Sequence, residues 1–476
     1  MLITKNRLLG LLAACLLAAI LLQQPGRAQS SGSTVFLPLI TNHDHLDSTQ
    51  PRVNIPYFDH PDIPVSPKFA EMAIFWYGQV TLEDNYTDIR IAYNDSHLFV
   101  VASVFDRRIW YNSASTGANL ENWDTISVFL QTGGASPQPN SSSYRFVAQF
   151  YETYRNPTPY RAAYQGDGSG WAVQGLPFDT QPTWWGDSPN NQNDDDGWAM
   201  IFRIPFSSLG LSGPPSPGRL WRLAVATHDR DSSTGGAGRP FTWPETAQTN
   251  NPTSWGNLRF GMPTYNPPAA RNLQTAMIRQ GSGNAQVMDA DVGGGSICAE
   301  NIKPRFFAEW GSLNYADRDF INIQNQANVS DWPCFSKFFI TFPVDPLPPG
   351  KVIRSARLVM YQFGGSDPDN ARSSFIQVFT VTEAWQETGI TWNNAPLAFE
   401  NVSVSEIEVI NGPPWPNLAR EWDVSRALNQ AYQTGQPLML ALYSADRPLH
   451  TGKYFRSSDF RDDYHRPALY IEYGDP

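Results

Sequence analysis

Five tryptophans, Trp123, Trp171, Trp184, Trp185 and Trp243, stand among Asn, Asp, Gln and Arg in the first half of the chain. An aromatic ring beside amides, carboxylates and guanidinium groups suits a ligand with apolar faces and hydroxyl-bearing edges. The ring stacks on the face and the polar groups bond the edge. Trp198 and Trp221 lie inside alternating apolar patterns and read as core. Trp171, Trp184 and Trp185 lie in a polar stretch, residues 160–197, where they either form a stacking platform or pin a loop. Trp123 immediately precedes an alternating run, and Trp243 sits in Phe241-Thr242-Trp243-Pro244 as a binding or a structural residue.

Carboxylates offer a second chemistry. Asp194 and Asp196, in Asp194-Asp195-Asp196-Gly197, and Asp229 and Asp231, flanking Arg230, could supply the oxygens that Ca2+ takes. Neither run spells an EF-hand loop, and a solvated acidic turn is the competing reading. Catalytic motifs are thin. The chain has no Walker loop, no His-Glu-x-x-His, no Cys-x-x-Cys and no complete Gly-x-Ser-x-Gly. A carboxylate pair for glycoside cleavage is a spatial relation that sequence spacing does not reveal.

Charge and composition narrow the partners. Lys and Arg number 34 against 45 Asp and Glu, a net charge of −11, so phosphate neutralisation gives no basis for nucleic-acid binding. Aromatics make up 13% of the chain, enough apolar mass for sizeable cores. The start reads as an export signal: Lys5 and Arg7 precede an apolar run over residues 8–22, with cleavage expected after Ala28. A competing lipoprotein reading places the lipid on Cys15, but the residues after that Cys stay apolar. No later stretch is long and apolar enough for a membrane helix. The expected location is secreted or extracellular, with surface attachment open. In an exported chain the two remaining cysteines, Cys298 and Cys334, are expected to form a disulfide, with two buried thiols as the alternative.

The elements that must carry these groups are strands. Ile89, Ile91 and Tyr93 alternate with polar or small neighbours, as do Ile126, Val128 and Leu130, and Trp198, Met200, Phe202 and Ile204. Ala356, Leu358 and Met360, and Leu469, Ile471 and Tyr473, repeat the pattern later. Gly- and Pro-rich turns separate them, and one helix is expected after Asp423, with Val424, Ala427, Leu428 and Ala431 on one face and Gly435 as its stop. The fold class is all-β: two β-sandwich, jelly-roll-like domains with little helix. The expected boundaries are a signal at 1–28, a polar tether at 29–51, a first sandwich at 52–262, a short linker at 263–284 and a second sandwich at 285–476. With a linker that offers little to bury, the two domains are expected to be independently stable.

Three blocks in the first half are Asp88 to Ala102, Trp123-Asp124-Thr-Ile-Ser-Val-Phe-Leu130 and Gly197-Trp-Ala-Met-Ile-Phe-Arg-Ile-Pro-Phe-Ser-Ser-Leu-Gly210. In this order they resemble family 9 carbohydrate-binding modules and their DOMON-like relatives. The second half carries Trp385-Gln-Glu-Thr-Gly-Ile-Thr-Trp-Asn-Asn-Ala-Pro396, Glu421-Trp-Asp-Val-Ser425, Tyr454-Phe-Arg-Ser-Ser-Asp459 and Arg466-Pro-Ala-Leu-Tyr-Ile-Glu-Tyr473. It resembles the DNRLRE domain, the disaggregatase-related module also classed as carbohydrate-binding family 96. The resemblance to family 9 implies a sugar-facing aromatic near Trp123 and adds weight to structural Ca2+. Together the two imply a secreted protein that binds polysaccharide or oligosaccharide, for attachment or as accessory to a separate secreted hydrolase. An extracellular glycoside hydrolase or polysaccharide lyase, and a structural cell-surface spacer, are the rival readings.

Overall fold

The computed structural model describes residues 49–476, apart from 113, 115, 118, 154–159, 295–302, 326–334, 368, 411, 413, 414 and 447–449. The expected signal segment, Cys15, Cys298 and Cys334 lie outside the described residues.

Alternating sequences become strands, and the strands form two sandwiches. In the first, β2 (Ala73–Gly78), β3 (Tyr86–Tyr93), β4 (His97–Phe105), β10 (Gly197–Pro205) and β9 (Asp179–Trp185) make one sheet in that order. It faces β13 (Gly256–Phe260), β11 (Leu220–His228), β5 (Thr125–Gln131), β6 (Ser143–Gln149), β7 (Arg161–Gly166) and β8 (Trp171–Gln174), with β12 (Phe241–Trp243) beside β11. In the second, β15 (Met288–Gly293), β17 (Ser336–Phe342), β22 (Leu438–Ser444), β19 (Ser374–Thr380) and β20 (Glu400–Ile407) face β14 (Arg271–Arg279), β24 (Ala468–Asp475), β18 (Val352–Gly365), β23 (Lys453–Arg456) and β16 (Phe320–Ile323). There β21 (Leu418–Asp423) also pairs with β18.

Among the described residues the α-helices are α1 (Lys303–Ala308) and α2 (Ser425–Thr434). On α2, Ala427, Leu428 and Ala431 are buried, and Gly435, at φ 65°, ends the helix in the left-handed region that glycine tolerates. Its cap differs slightly from expectation. Val424 is the N-cap, and Asp423 Oδ1 accepts from the Ser425 N–H at 2.9 Å from one residue further out.

The span expected as linker is shorter than its composition suggests. Of residues 263–284, Arg271–Arg279 form β14, which runs antiparallel to β24. Its exposed positions are mostly polar, which disguises an edge strand as linker.

The sandwiches are joined more closely than two beads. β1 (Arg52–Ile55) pairs in parallel with β13 and, at Arg52, with Glu400 of β20, so one sheet continues through both. Arg52 Nε donates to Glu400 Oε1 at 2.7 Å, and Asn54 Nδ2 donates to the same oxygen at 2.7 Å. The outer face of β2, β3 and β4 is covered by the second sandwich. Ile74, Trp76, Tyr86 and Phe105 pack with Phe339, Phe379, Trp392 and Tyr443 in one apolar cluster. This explains why β3 is buried on both faces: Ile89 and Ile91 point into their own sandwich, while Asp88 and Arg90 meet the other.

Candidate functional site

The fold scatters the five tryptophans. Trp243 is core: its ring centroid is 4.2 Å from that of Phe75, and it is buried over Gly256, where an added Cβ would come within 2.6 Å of the indole. A buried ring cannot stack on a ligand. Trp184 and Trp185 fall on strand β9, and Trp171 opens β8, so the stretch read as loop contributes two edge strands as well as β7. Its outward positions Asp179, Gln181 and Thr183 are polar, which hid the alternation. Trp184 turns inward against the core and donates from Nε1 to the Asp187 carbonyl at 3.2 Å. Trp171 is half-buried, parallel to Trp255 at 6.3 Å, and donates to Asn250 Oδ1 at 2.8 Å. Trp185 is half-buried on the outer face of its sheet.

Trp123 is half-buried and carries the Arg230 guanidinium 3.7 Å above its ring. Arg230 is fixed there by donating to the carbonyls of Ser232 (2.7 Å), Ser233 (2.8 Å) and Asn122 (3.2 Å). Beside this pair opens a cavity of about 820 Å³, lined by Tyr77, Asp84, Asp229, Asp231, Arg239 and Phe241, among others.

Its Asp229 belongs to a group of three buried carboxylates. Asp106, Asp124 and Asp229 each place an oxygen within 4.8 Å of the others. Asp106 accepts from Trp198 Nε1 at 2.9 Å and the Arg108 N–H at 2.8 Å, and Asp124 accepts from the N–H groups of Trp110 and Arg230. Among the described residues no Lys or Arg forms an ion pair with any of the three. Burial first, then the neighbouring carboxylates, push Asp106 and Asp124 well above the usual carboxylate range. Burial and Asp231 push Asp229 up to about 8. Three hard oxygens held by backbone and indole N–H groups fit a divalent cation such as Ca2+. Of the four carboxylates expected from sequence only Asp229 belongs to this group. Asp231 lines the cavity, Asp194 pairs with Arg107 at 3.5 Å, and the Asp196 N–H donates to the Trp185 carbonyl at 3.0 Å. Asp106 and Asp124 were missed. Their signal is position: one ends just past β4 and the other directly precedes β5.

The second sandwich presents an aromatic surface that sequence reading also missed. On the outer face of β18, β23 and β24, Tyr361 meets His465 edge-on at 5.0 Å and Tyr464 at 5.8 Å. The Arg456 guanidinium lies 3.8 Å over Phe363 and 4.0 Å over Phe460. Arg279 donates to Tyr470 Oη at 3.1 Å and lies 5.6 Å from the Tyr464 ring, which is 63% exposed. Tyr361 and Phe460 are buried beneath this face, while Tyr464 is open and Phe363 half-buried, and such rings beside guanidinium groups can stack on sugar faces and bond sugar oxygens. The alternation of Tyr454 and Arg456 about buried Phe455 was the available signal.

Residues 308–473 match carbohydrate-binding module family 96, the span on which the sequence resemblance is strongest. The chain is thus a carbohydrate-binding protein, as its sequence led us to expect. No curated protein matches it. Among solved structures, a carbohydrate-binding module family 9 from Caldicellulosiruptor kristjanssonii in complex with cellotriose is similar at 18% identity, over 46% of this chain and 99% of that one, with a TM-score of 0.33. The same module in complex with glucose gives 18% identity, 46% and 100% coverage, and a TM-score of 0.32.

Proposed function

We propose that this chain is exported and binds polysaccharide, either to attach a cell to it or as accessory to a separate hydrolase. The observation that carries the reading is the face of exposed Tyr464 and half-buried Phe363 and Arg456, which falls within the residues that match a carbohydrate-binding family. The test is affinity electrophoresis over neutral and acidic polysaccharides, with hydrolysis products assayed in the same samples. Retention without products is expected. Products would turn the reading to an enzyme, and no retention on any polysaccharide would turn it to a spacer.

Two finer elements belong to the proposal. Asp106, Asp124 and Asp229 would hold Ca2+, whose charge offsets three buried carboxylates and ties the entrance of β5 to the ends of β4 and β11. Cys298 and Cys334 would be bonded in the exported protein, closing a loop within the second sandwich, which mass spectrometry of unreduced peptides decides.

A further inference from the structure

Strand register decides which side chains share the outer face of the β2-β3-β4-β10-β9 sheet. Asp88, Ser103, Ala199 and Thr183 form one row across β3, β4, β10 and β9. Arg90, Val101, Ile201 and Gln181 form the next. On the other side lie Tyr86 with Phe105, and Gly197 with Trp185. The middle of the face is therefore built from Ser103, Ala199 and Gly197, while Arg90, Phe105 and Trp185 stand larger around it. The result is a hollow of about 220 Å³. Gly197 cannot easily be replaced: its φ is 138°, and a Cβ there would lie 2.1 Å from the Val104 carbonyl oxygen.

The second sandwich closes one side of this hollow with Asn325, Phe335 and Asp446. Two of its walls are aromatic, Trp185 and Phe105, and its lip is polar, with Thr183 and Gln181 exposed. Arg90 is already occupied, donating to the Ala445 carbonyl at 3.0 Å and to Ser103 Oγ at 3.1 Å, with Asp88 3.8 Å away. Asp446 is buried, and its Oδ2 accepts from Ser374 Oγ at 2.6 Å. Rings beside hydroxyl and amide groups suit a neutral sugar ring with its hydroxyls. They do not suit a uronate, which would meet Asp88 and Asp446, while Arg90, the one cation among the described lining residues, is already bonded. Interfaces between domains are a common place for such sites.

We infer that this hollow between the sandwiches is a subsite for one neutral pyranose ring, the end or a side branch of a polysaccharide, since the second sandwich blocks a chain from running through. The inference rests on the carbohydrate-binding reading above.

The test uses the full chain and the methyl glycosides of glucose, galactose, mannose and xylose, followed by saturation-transfer NMR. At least one should bind. Thr183→Trp, which fills the hollow from an exposed position, and Trp185→Ala, which removes a wall, should each weaken that binding by about tenfold or more. Thr183→Trp should melt at the wild-type temperature, and Trp185→Ala, which loses a half-buried ring, about 2–4 °C lower. If polysaccharide is retained but no glycoside binds, or binding survives both variants, the subsite is wrong and the broader reading stands. If no polysaccharide is retained either, both fall.

Discussion

Lys337, on β17 of the second sandwich, holds its ammonium 4.3 Å from the centroid of the Trp76 ring on β2 of the first. Tyr86 lies 4.4 Å away on the first sandwich, and Trp392 (3.7 Å) and Tyr443 (5.0 Å) close the cage from the second. Burial drives the Lys337 ammonium well below the usual lysine range, and the Asp88 carboxylate opposes that shift. The cage exists only while the sandwiches stay together, which turns a contact into a coupling.

The intact chain should therefore unfold as one cooperative unit, contrary to the independence that the linker composition suggested. Trp76→Ala removes a buried ring and one wall of the cage, and should cost about 3–5 kcal/mol. Calorimetry checks this. Two well-resolved transitions, with only one displaced in Trp76→Ala, would overturn it.

Trp243 and Trp171 should separate stability from surface. Trp243 is enclosed by Phe75 and by the close backbone at Gly256, so Trp243→Ala should cost about 3–5 kcal/mol. Trp171 keeps a half-exposed ring whose main partner is Trp255, so Trp171→Ala should cost about 1 kcal/mol. Urea denaturation of both variants gives the comparison, and the reverse order would contradict the placement of Trp243 in the core.

Ca2+ should raise the melting temperature of the wild-type chain, and chelation should lower it. Asp124→Asn removes one of three clustered charges. It should lower the stability of the chelated protein, because one of the two N–H groups that Asp124 accepts would then face an amide NH2, while the gain on adding Ca2+ shrinks. A melting series with and without Ca2+ measures both. An equal Ca2+ response in wild type and Asp124→Asn would remove the trio from consideration.

Much of the fold was legible because its strands obey a simple rule. Ile89 and Ile91, or Leu469 and Ile471, are apolar on one face, and period two gives the strand and its buried side. The edge strands β9 and β14 were not legible, since exposed edges carry polar residues and look like loop. The sites were harder still. Nothing local distinguishes Trp243, which is core, from Trp185, which faces a hollow. The difference is set by register against β10 and by a second sandwich more than a hundred residues away. Asp106, Asp124 and Asp229 likewise meet only because three strand ends converge.

The second sandwich should lose stability as pH rises through the range between ordinary carboxylates and neutrality. Asp291 is fully buried on β15, and burial pushes it up to about 7 despite Arg318, whose Nη1 lies 3.4 Å away. Burial and Asp459 push Glu387 up to about 7, and burial drives Asp289 well above its usual value. A carboxyl whose folded pKa is raised binds a proton that the unfolded chain has already lost. Its contribution is complete below the unfolded value, near 4, and disappears as pH climbs through the folded value, near 7. Glu121, held well below its usual value despite burial by His228 and Arg145, acts with opposite sign, but only at more acidic pH. The melting temperature should thus fall between pH 5 and pH 8. Glu387→Gln, which cannot ionise, should flatten that fall. So should Asp291→Asn, although it also removes the partner of Arg318. Thermal melts at half-unit pH steps, with Ca2+ chelated throughout so that the first-sandwich trio is in one state, give the slopes. If both variants keep the wild-type slope, the buried carboxyls of the second sandwich do not set it.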